Sequence, residues 1–372
     1  MKILHTSYDD PRNPWLGGGG AARTFEICRR LAGRHEITVV CGSYPGAAPE
    51  EEVDGLRVLH LGSPRSYAIS RLTFSARASR FLARSDADLW VYSFSAFAPL
   101  WASAPRRRAS VLEFFHLMQE HAARKRPVLG LPAAAIERAT LRAYDRVIAI
   151  SPSVAEGLAA IRGDCGLHLV YTGVDDRCFL EGAEEGDYVL YFGRLDTYTK
   201  GLDLLLEAFG RVASQERGIR LVVAGRGTPE RVAELRELAR RAGVEERVEL
   251  IGPVSAEEKT QLFRRSLFNV APSRYEGWCI AAVEASAAGK AVVGTRIPGL
   301  VDAVRDGETG LLAEAEDVEG IAGAMLRLLR EPGLRAQLGA AGRGWAQRFR
   351  WDRIADEQER VYEGVAAVLL GA

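Results

Sequence analysis

The stretch D-Y-V-L-Y-F-G-R-L-D-T-Y-T-K-G-L-D-L-L-L-E-A-F, residues 187–209, joins a short apolar run to an amphipathic helical pattern through a polar loop. The run has the aromatic and β-branched residues typical of a strand, and the leucines after Lys200 recur at helical spacing. The same unit repeats with I-R-L-V-V-A-G at 219–225, V-E-L-I-G-P-V at 248–254, L-F-N-V-A-P-S at 267–273 and A-V-V-G-T at 291–295. Strands that alternate with helices in this way predict βα units and a parallel sheet.

The first half of the chain shows the same alternation. Its patterns predict strands at 2–5, 36–41, 57–61, 88–92, 110–114, 146–150 and 168–171, and helices at 21–32, 69–84, 132–144 and 152–161. Ser151 suits the N-cap of the last helix and Pro152 its first position. We therefore expect an α/β protein of two Rossmann-like, doubly wound parallel-sheet domains that face each other across a cleft, with ligands at the carboxyl ends of the strands.

The acidic stretch E-G-A-E-E-G-D at 181–187 interrupts the alternation and predicts a domain boundary. Two domains also suit the length, since 372 residues exceed what one hydrophobic core usually serves. We expect residues 1–178 to form the N-terminal domain and residues 179–350 the C-terminal domain. Residues 351–372 predict a helix, either on the surface of the second domain or packed back on the first.

Composition narrows the class of protein. Hydrophobic residues make up 47% of the chain, and 49 basic residues balance 49 acidic ones, which argues against nucleic acid as a partner. The five cysteines are scattered without metal-ligand spacing, which predicts reduced thiols and no metal site. The sequence lacks the pattern of a signal peptide and any run near the roughly 20 apolar residues of a membrane span. We expect a cytoplasmic protein, with peripheral contact to the inner membrane face left open.

A glycine-rich loop, W-L-G-G-G-G-A-A-R-T-F at 15–25, follows the first predicted strand and opens a helix. Glycines such as Gly18 and Gly19 let the backbone approach a ligand closely, and a helix N-terminus favours anions. A plain flexible turn is the alternative. The loop is not a dinucleotide fingerprint, because no acidic residue ends the second strand.

Arg194 and Lys200 occupy the corresponding loop of the second half. Arginine offers a planar fork for phosphate oxygens and lysine a mobile charge, a suitable pair for a diphosphate. Two solvated loop charges are the alternative. The loop is not a P-loop, because the G-K-S/T ending is absent.

The stretch S-R-Y-E-G-W-C-I-A-A-V-E-A, residues 273–285, places Glu276 and Glu284 eight positions apart. In one helix that spacing would separate them by about 12 Å, so we expect them to hold different parts of one extended ligand. Gly277 permits a tight turn, and we expect a helix to begin near Trp278 with the N–H groups of residues 278–280 directed at the ligand. A carboxylate suits a vicinal diol, so Glu284 would suit a ribose and Glu276 a sugar. Two exposed glutamates beside an amphipathic helix are the alternative.

His116 follows a predicted strand in S-V-L-E-F-F-H, residues 110–116. At a strand end it could shuttle a proton or donate a hydrogen bond to a ligand, and a structural histidine is the equal alternative. The aspartates at 9–10 and at 86 and 88 are interpreted as surface or turn carboxylates rather than metal ligands.

Together these segments resemble the retaining glycosyltransferases of family 4, which have the GT-B fold. The most specific piece is Y-E-G-W-C-I-A-A-V-E at 275–284, similar to the family's E-x7-E region with Trp278 where phenylalanine is usual. F-G-R-L-D-T-Y-T-K-G at 192–201 is similar to its G-R…K-G segment, R-D-G-E-T-G-L-L at 305–312 to its D-G-x-T-G-L-L turn, and residues 17–40 to its glycine loop and second strand.

The resemblance implies a role for each site residue. Arg194 and Lys200 would hold the donor diphosphate, Glu284 its ribose, Glu276 the transferred sugar, and His116 the sugar near the reacting carbon. It makes the first domain acceptor-binding and the second donor-binding. The remaining donor-binding residues that it implies are Gly18, Gly19, Gly225, Arg226, Val254, Gly277, Trp278, Cys279 and Ile280. Two positions depart from the pattern: Arg226 replaces a common acidic residue, and Asp302 stands where glutamate is usual.

The implied reaction transfers a hexose-type sugar from a UDP- or GDP-linked donor to a hydroxyl acceptor, with retention and without metal or cofactor. No residue is a convincing covalent nucleophile, which favours front-face displacement. A nucleotide-sugar epimerase and a non-catalytic nucleotide-sugar binding protein are the alternatives. The acceptor is lipid-linked, a polysaccharide or a small metabolite. The aromatic and basic segments at 92–108 and 121–127 suit a membrane surface, or a buried strand with a solvated loop.

Overall fold

The computed structural model describes residues 1–15, 17–100, 109–117, 127–179 and 185–370. The chain divides into two compact units, one of Met1–Thr172 with Trp351–Ala372 and the other of Gly173–Arg350. The division lies after residue 172 and not after residue 178, because Val174 already pairs with the second unit: its N–H donates to the Phe349 carbonyl at 2.8 Å. Residues 181–184 of the predicted boundary at 181–187 lie outside the described residues.

In its described residues the first unit contains an eight-stranded sheet. Its strands are β1 (Lys2–Thr6), β2 (Glu36–Gly42), β3 (Glu50–Val53), β4 (Leu56–Leu61), β5 (Leu89–Ser93), β6 (Ala109–Phe114), β7 (Val147–Ala149) and β8 (Leu167–Leu169). Their order is β3-β4-β2-β1-β5-β6-β7-β8, and β3 runs antiparallel to β4 while the other pairs are parallel. The prediction missed β3 because its sequence, E-E-E-V, has no apolar alternation. Charges on such an edge strand discourage pairing with another chain.

The helices described between these strands are α1 (Gly19–Leu31), α2 (Tyr67–Arg84), α3 (Pro127–Ala143) and α4 (Pro152–Arg162). The predicted start of α4 is confirmed, since the Ser151 hydroxyl accepts from the Val154 N–H at 3.2 Å and Pro152 follows the cap. The predicted start of α3 at residue 132 is wrong: Pro132 lies inside the helix.

The described part of the second unit contains a six-stranded sheet in which every pair is parallel. Its strands are β9 (Tyr188–Phe192), β10 (Arg220–Ala224), β11 (Val248–Ile251), β12 (Asn269–Ala271), β13 (Val292–Thr295) and β14 (Gly310–Ala313). The order β11-β10-β9-β12-β13-β14 reverses direction between β9 and β12. Ligands bind at the carboxyl ends of the strands at such a reversal, so the loops after β9 and β12 are the favoured place for a site.

The helices of the second unit, in the residues described, are α5 (Leu202–Gln215), α6 (Pro229–Arg241), α7 (Ala256–Arg265), α8 (Ile280–Ala287), α9 (Leu300–Ala303), α10 (Val318–Arg330) and α11 (Pro332–Ala346). The apolar face of α5, which includes Leu205 and Phe209, is fully buried against the sheet. The expected fold class, two parallel-sheet α/β domains, is confirmed.

The last helix, α12 (Trp351–Leu370), belongs to the first unit, where it packs against α1. Its apolar face, with Ile354 and Val365, enters the same core as β1 and β2. A buried polar contact adds to this packing, because Gln358 accepts from Arg23 of α1 at 2.6 Å. No helix within the described residues is both long and apolar enough to cross a bilayer.

Candidate active site

The loops at the carboxyl ends of β9 and β12 carry most of the residues predicted to bind a ligand in the second unit. Gly193 and Arg194 follow β9 directly, and Lys200 lies at the end of the same loop, just before α5. Glu276 lies in the loop between β12 and α8, and Gly225 with Arg226 follows β10. Parallel strands end at one edge of a sheet, so this edge brings the predicted residues of the second unit together.

Two glycines hold these loops close. Gly201 has a φ of +65°, and a Cβ there would lie 1.9 Å from the Pro272 carbonyl oxygen, so only glycine lets the Lys200 loop approach the loop after β12. Gly299, with a φ of +79°, lies on the other side of that loop, where a Cβ would be 2.8 Å from the Glu276 carbonyl oxygen. The backbone around Glu276 is therefore enclosed from two sides. Neither glycine is among the residues that the sequence predicts to bind a ligand.

Glu276 and Lys200 form an ion pair with 2.5 Å between Lys200 Nζ and Glu276 Oε1. The Ser273 hydroxyl donates to the same oxygen at 2.8 Å. Glu276 has 9% of its side chain exposed and Lys200 18%, so water screens this pair only partly. The sequence predicts that these two residues hold different parts of a donor, and no local pattern in it indicates that they contact each other.

Arg274 ties the two loops together and was also missed. Its guanidinium pairs with Asp203 of α5 at 2.7 Å and with Glu316 at 2.5 Å, and it donates to the Tyr198 carbonyl at 2.9 Å. Its side chain is 11% exposed, so these contacts are largely protected from solvent. The available signal was its position, two residues before Glu276 in the selected stretch.

The helix that carries Glu284 begins later than the sequence analysis expected. α8 starts at Ile280, so the N–H groups of its first turn begin at residue 280 and not at residue 278. Trp278 packs its ring against Phe349, with 5.0 Å between the ring centroids, and this contact holds the residue outside the helix. Burial raises the pKa of the Cys279 thiol to about 12, so Cys279 stays protonated at neutral pH.

Glu284 is buried in the first turns of α8, and Lys259 of α7 donates to its Oε1 at 2.5 Å. Only 8% of the Glu284 side chain is exposed, so the alternative of two exposed glutamates is wrong for both carboxylates. Within the described residues neither Glu276 nor Glu284 has a hydrogen-bond partner for Oε2. Each carboxylate thus has one oxygen held by the protein and one left to accept another hydrogen bond.

Arg194 and Arg226 differ from Lys200 in having no carboxylate partner in the part of the chain that the structure describes. Both are exposed at the strand-end edge, Arg194 after β9 and Arg226 after β10. Val254 is half-buried just before α7. Two unpaired guanidinium groups at one edge give it a positive potential that suits a diphosphate.

The remaining predicted residues lie in the first unit. Gly18 is the N-cap of α1, Gly19 its first residue, and His116 is exposed two residues after β6. A Cβ on Gly20 would lie 2.9 Å from the ring of Phe115, so the glycine loop and the His116 segment approach each other within this unit.

Asp10, interpreted as a surface or turn carboxylate, lies in a turn, since the Asn13 N–H donates to its carbonyl at 3.0 Å, and it does not lie at the surface. Asp10 is fully buried, where it accepts from Arg12 at 2.6 Å and contacts His60 at 3.1 Å. Burial alone would raise its pKa, but the hydrogen bonds from His60 and Arg12 outweigh burial and lower the pKa to about 2. In the described residues no group of three or more His, Cys, Asp or Glu could hold a metal ion, and a metal-independent reaction stays a prediction.

Two family models match the chain in succession. The model described as Glycosyltransferase Family 4 matches residues 17–177, and the one described as Glycosyl transferases group 1 matches residues 177–345. A D-inositol 3-phosphate glycosyltransferase of Xylanimonas cellulosilytica is 28% identical, over 97% of this chain and 95% of that protein. Another, from Acidothermus cellulolyticus, is 36% identical over 49% of this chain, and the match spans only 42% of that relative.

Solved structures show the same fold. Sucrose-phosphate synthase from Thermosynechococcus elongatus superposes with a TM-score of 0.85 at 23% identity, over 99% of this chain and 100% of that one. HepE from Anabaena, solved in complex with UDP and glucose, superposes with a TM-score of 0.78 at 19% identity, over 98% and 100% of the two chains. The chain therefore belongs to glycosyltransferase family 4 and has the GT-B fold.

Proposed function

We propose that the protein transfers a hexose-type sugar from a nucleoside-diphosphate sugar to a hydroxyl acceptor, without a metal ion and with retention at the anomeric carbon. The observation that carries the proposal is the arrangement of Glu276 and Glu284 at one strand-end edge. Each carboxylate has Oε1 held by a lysine, and neither Oε2 has a partner among the described residues. Free carboxylate oxygens on fixed side chains are suited to accept hydrogen bonds from sugar hydroxyls.

The roles follow from charge and position. Arg194 and Lys200 bind the diphosphate, and their positive charge stabilises it as negative charge develops on the leaving group. Glu284 accepts from the ribose and Glu276 from the transferred sugar, while His116 of the first unit acts at the reacting sugar. Cys279 is no nucleophile, since burial raises the pKa of its thiol to about 12, and this supports front-face displacement over a covalent intermediate.

The nucleotide and the acceptor are proposed only by class. The fold relative that binds UDP and glucose supports a uridine nucleotide, and GDP is the second candidate because Arg226 replaces a common acidic residue at this turn. The curated relatives are named for D-inositol 3-phosphate, so an inositol phosphate belongs among the acceptors to be tested.

A donor-by-acceptor screen read by mass spectrometry tests the proposal. Donors are first ranked by thermal shift in EDTA, and a nucleoside diphosphate at a hundred times its dissociation constant should add about 2.7 kcal/mol of stability. We expect a new glycoside only when donor and acceptor are both present. Conversion of the donor sugar without an acceptor would support the epimerase, and binding without any transfer or hydrolysis would support a non-catalytic binding protein.

We further propose a cytoplasmic location at the inner membrane face, which would suit a lipid-linked acceptor. On α2 the exposed face carries Leu72, 73% exposed, and Ile69, 44% exposed, followed by Arg77, Arg80 and Arg84. The helix has no acidic residue. Apolar side chains with arginines on one helix face favour an anionic lipid surface.

Co-sedimentation with vesicles of phosphatidylcholine, with and without phosphatidylglycerol, tests this location. We expect binding that needs the anionic lipid and falls with salt, and that Leu72→Ser with Ile69→Ser abolishes. Equal recovery with neutral vesicles, or none with either, would contradict it. Of the segments at 92–108 and 121–127, whose aromatic and basic residues suit a membrane surface, residues 101–108 and 121–126 lie outside the described residues.

A further inference from the structure

Lys259 is the residue through which the second unit holds Glu284. Its Nζ lies 2.5 Å from Glu284 Oε1, and 18% of the Lys259 side chain is exposed. Lys259 belongs to α7 and is 25 positions from Glu284 in the chain, so no local pattern in the sequence marks it as a partner of Glu284. Contact between the two therefore arises only when α7 and α8 pack side by side.

Lys259 is itself held in place. α7 begins with a capping box, in which the Ser255 hydroxyl accepts from the Glu258 N–H and the Glu258 carboxylate accepts from the Ser255 N–H. This fixes the first turn of the helix, and Lys259 follows it directly. On its other side Lys259 Nζ lies 4.0 Å from Asp175, which is bound by Arg177 at 2.8 Å.

The surroundings keep Lys259 charged. Burial by itself lowers the pKa of an ammonium group, but the charge and hydrogen bond of Glu284 outweigh burial, and the pKa of Lys259 is raised above its usual value. At neutral pH Lys259 therefore carries its positive charge toward the Glu284 carboxyl group. One oxygen of that carboxylate is committed to Lys259, and Oε2 has no partner within the described residues.

We propose that Lys259 is a positioning residue of the nucleotide subsite: it holds Oε1 of Glu284 so that Oε2 is presented to the ribose hydroxyls of the donor. This inference rests on the proposed function, because it assumes that Glu284 binds ribose. Lys259 does not touch the ligand in this scheme. Lys259 contributes to nucleotide affinity through Glu284. The contribution should therefore appear only when the ligand has ribose hydroxyls and residue 284 is a glutamate.

Calorimetry on four proteins tests this coupling: the natural chain, Lys259→Met, Glu284→Gln and the double variant. Each is titrated with UDP and GDP and with their 2′,3′-dideoxy forms. For the nucleotide that the natural chain binds, we expect Lys259→Met to lower affinity about tenfold, the scale of a charge-assisted hydrogen bond. The same variant should change affinity for the dideoxy form less than twofold, and it should add nothing to Glu284→Gln.

Arg265→Met is the matched control, since it removes a positive charge from the same helix at an exposed position. It should leave both affinities unchanged. Equal losses for the ribose and dideoxy forms would overturn the inference and show that Lys259 supports the fold or contacts another part of the nucleotide. No loss for either form would overturn it as well.

The outcome also separates this inference from the proposed function. If the natural chain binds neither UDP nor GDP, the proposed donor site is wrong. If it binds one of them and does not distinguish ribose from dideoxyribose, the assignment of Glu284 is wrong and the inference falls with it. If it distinguishes them and Lys259→Met does not reduce the difference, only the role of Lys259 is wrong.

Discussion

Glu113 of the first unit and the pair Glu276 and Glu284 of the second unit differ in how many of their carboxylate oxygens accept hydrogen bonds from the protein. In the first unit Glu113 is fully buried, and it contacts Arg23 at 2.6 Å, His5 at 3.0 Å and Ser93 at 2.7 Å, with Gln358 as a further donor. In the second unit Glu276 and Glu284 keep a small exposed fraction and use only Oε1 within the described residues. Burial alone does not distinguish a structural carboxylate from one available to a ligand. The number of carboxylate oxygens that already accept hydrogen bonds from the protein distinguishes the two kinds.

The contacts around Glu113 also show how α12 is held in the first unit. Arg23 from α1 and Gln358 from α12 meet at one oxygen of Glu113, which lies on β6. Three elements far apart in sequence are thus joined by one carboxylate. Removing one member of such a buried network leaves the others without a partner.

The largest expected effect is on stability and comes from Glu113→Gln. This substitution leaves Arg23 buried without a full counter-charge, and such a loss costs about 3–5 kcal/mol of the free energy of unfolding. Urea denaturation measures it. The control Glu50→Gln breaks an exposed pair with Arg57 and should not shift the midpoint measurably. If Glu113→Gln unfolds at the same urea concentration as the natural chain, the contacts around Glu113 are not the structural group described here.

The next effect is a dependence of stability on pH that comes from His5. Burial would lower its pKa, but the neighbouring Cys28 and Glu113 outweigh burial and raise the pKa to about 10. A raised folded-state pKa gives a contribution that is complete below about 6.5, the pKa in the unfolded chain, and is lost as the pH rises toward 10. We expect the urea midpoint to fall across this range, and to fall less in His5→Gln. Parallel curves for the two proteins would disprove the role of His5.

The lowered pKa of Glu113 makes stability fall at low pH, whereas the raised pKa of His5 makes it fall at high pH. Burial would raise its pKa, but Arg23 and His5 outweigh burial and hold the pKa below its ordinary value. Its contribution is therefore present above the unfolded-state pKa of about 4.5 and lost as the pH falls below it. The contacts of Glu113 with Arg23 and His5 should therefore stabilise the first unit most between about pH 4.5 and pH 6.5.

Glu276→Gln and Glu284→Gln should change stability least among these variants, and they should differ from each other in function. Glu276→Gln should cut transfer about a hundredfold, the scale of losing one preorganised group at the reacting centre. It should raise the affinity for the nucleoside diphosphate a few-fold, because Lys200 no longer pairs with a carboxylate. Glu284→Gln should instead weaken that affinity about tenfold. Calorimetry and turnover on both variants measure this division, and equal losses of nucleotide affinity in both would contradict it.

The sequence by itself determined the alternation of strands and helices, the cap of α4, the loops in which Arg194, Lys200 and Glu276 lie, and the helix that carries Glu284. These features depend on local propensity and periodicity, which neighbouring residues carry. The start of α8 was misplaced by two residues, because the packing of Trp278 on Phe349 overrides the helical pattern.

Only the tertiary structure decided which partner each of these charges has. The pairs Lys200–Glu276 and Lys259–Glu284 join residues 76 and 25 positions apart, and Gln358 contacts Glu113 across 245 positions. The first pair forms because the loops after β9 and β12 lie at one edge of the sheet. The other two form because α7 packs beside α8 and α12 packs against β6. No local sequence pattern records which of these elements become neighbours. The fold class could therefore be predicted from the sequence. Whether each carboxylate oxygen already accepts a hydrogen bond from the protein depends on the tertiary packing.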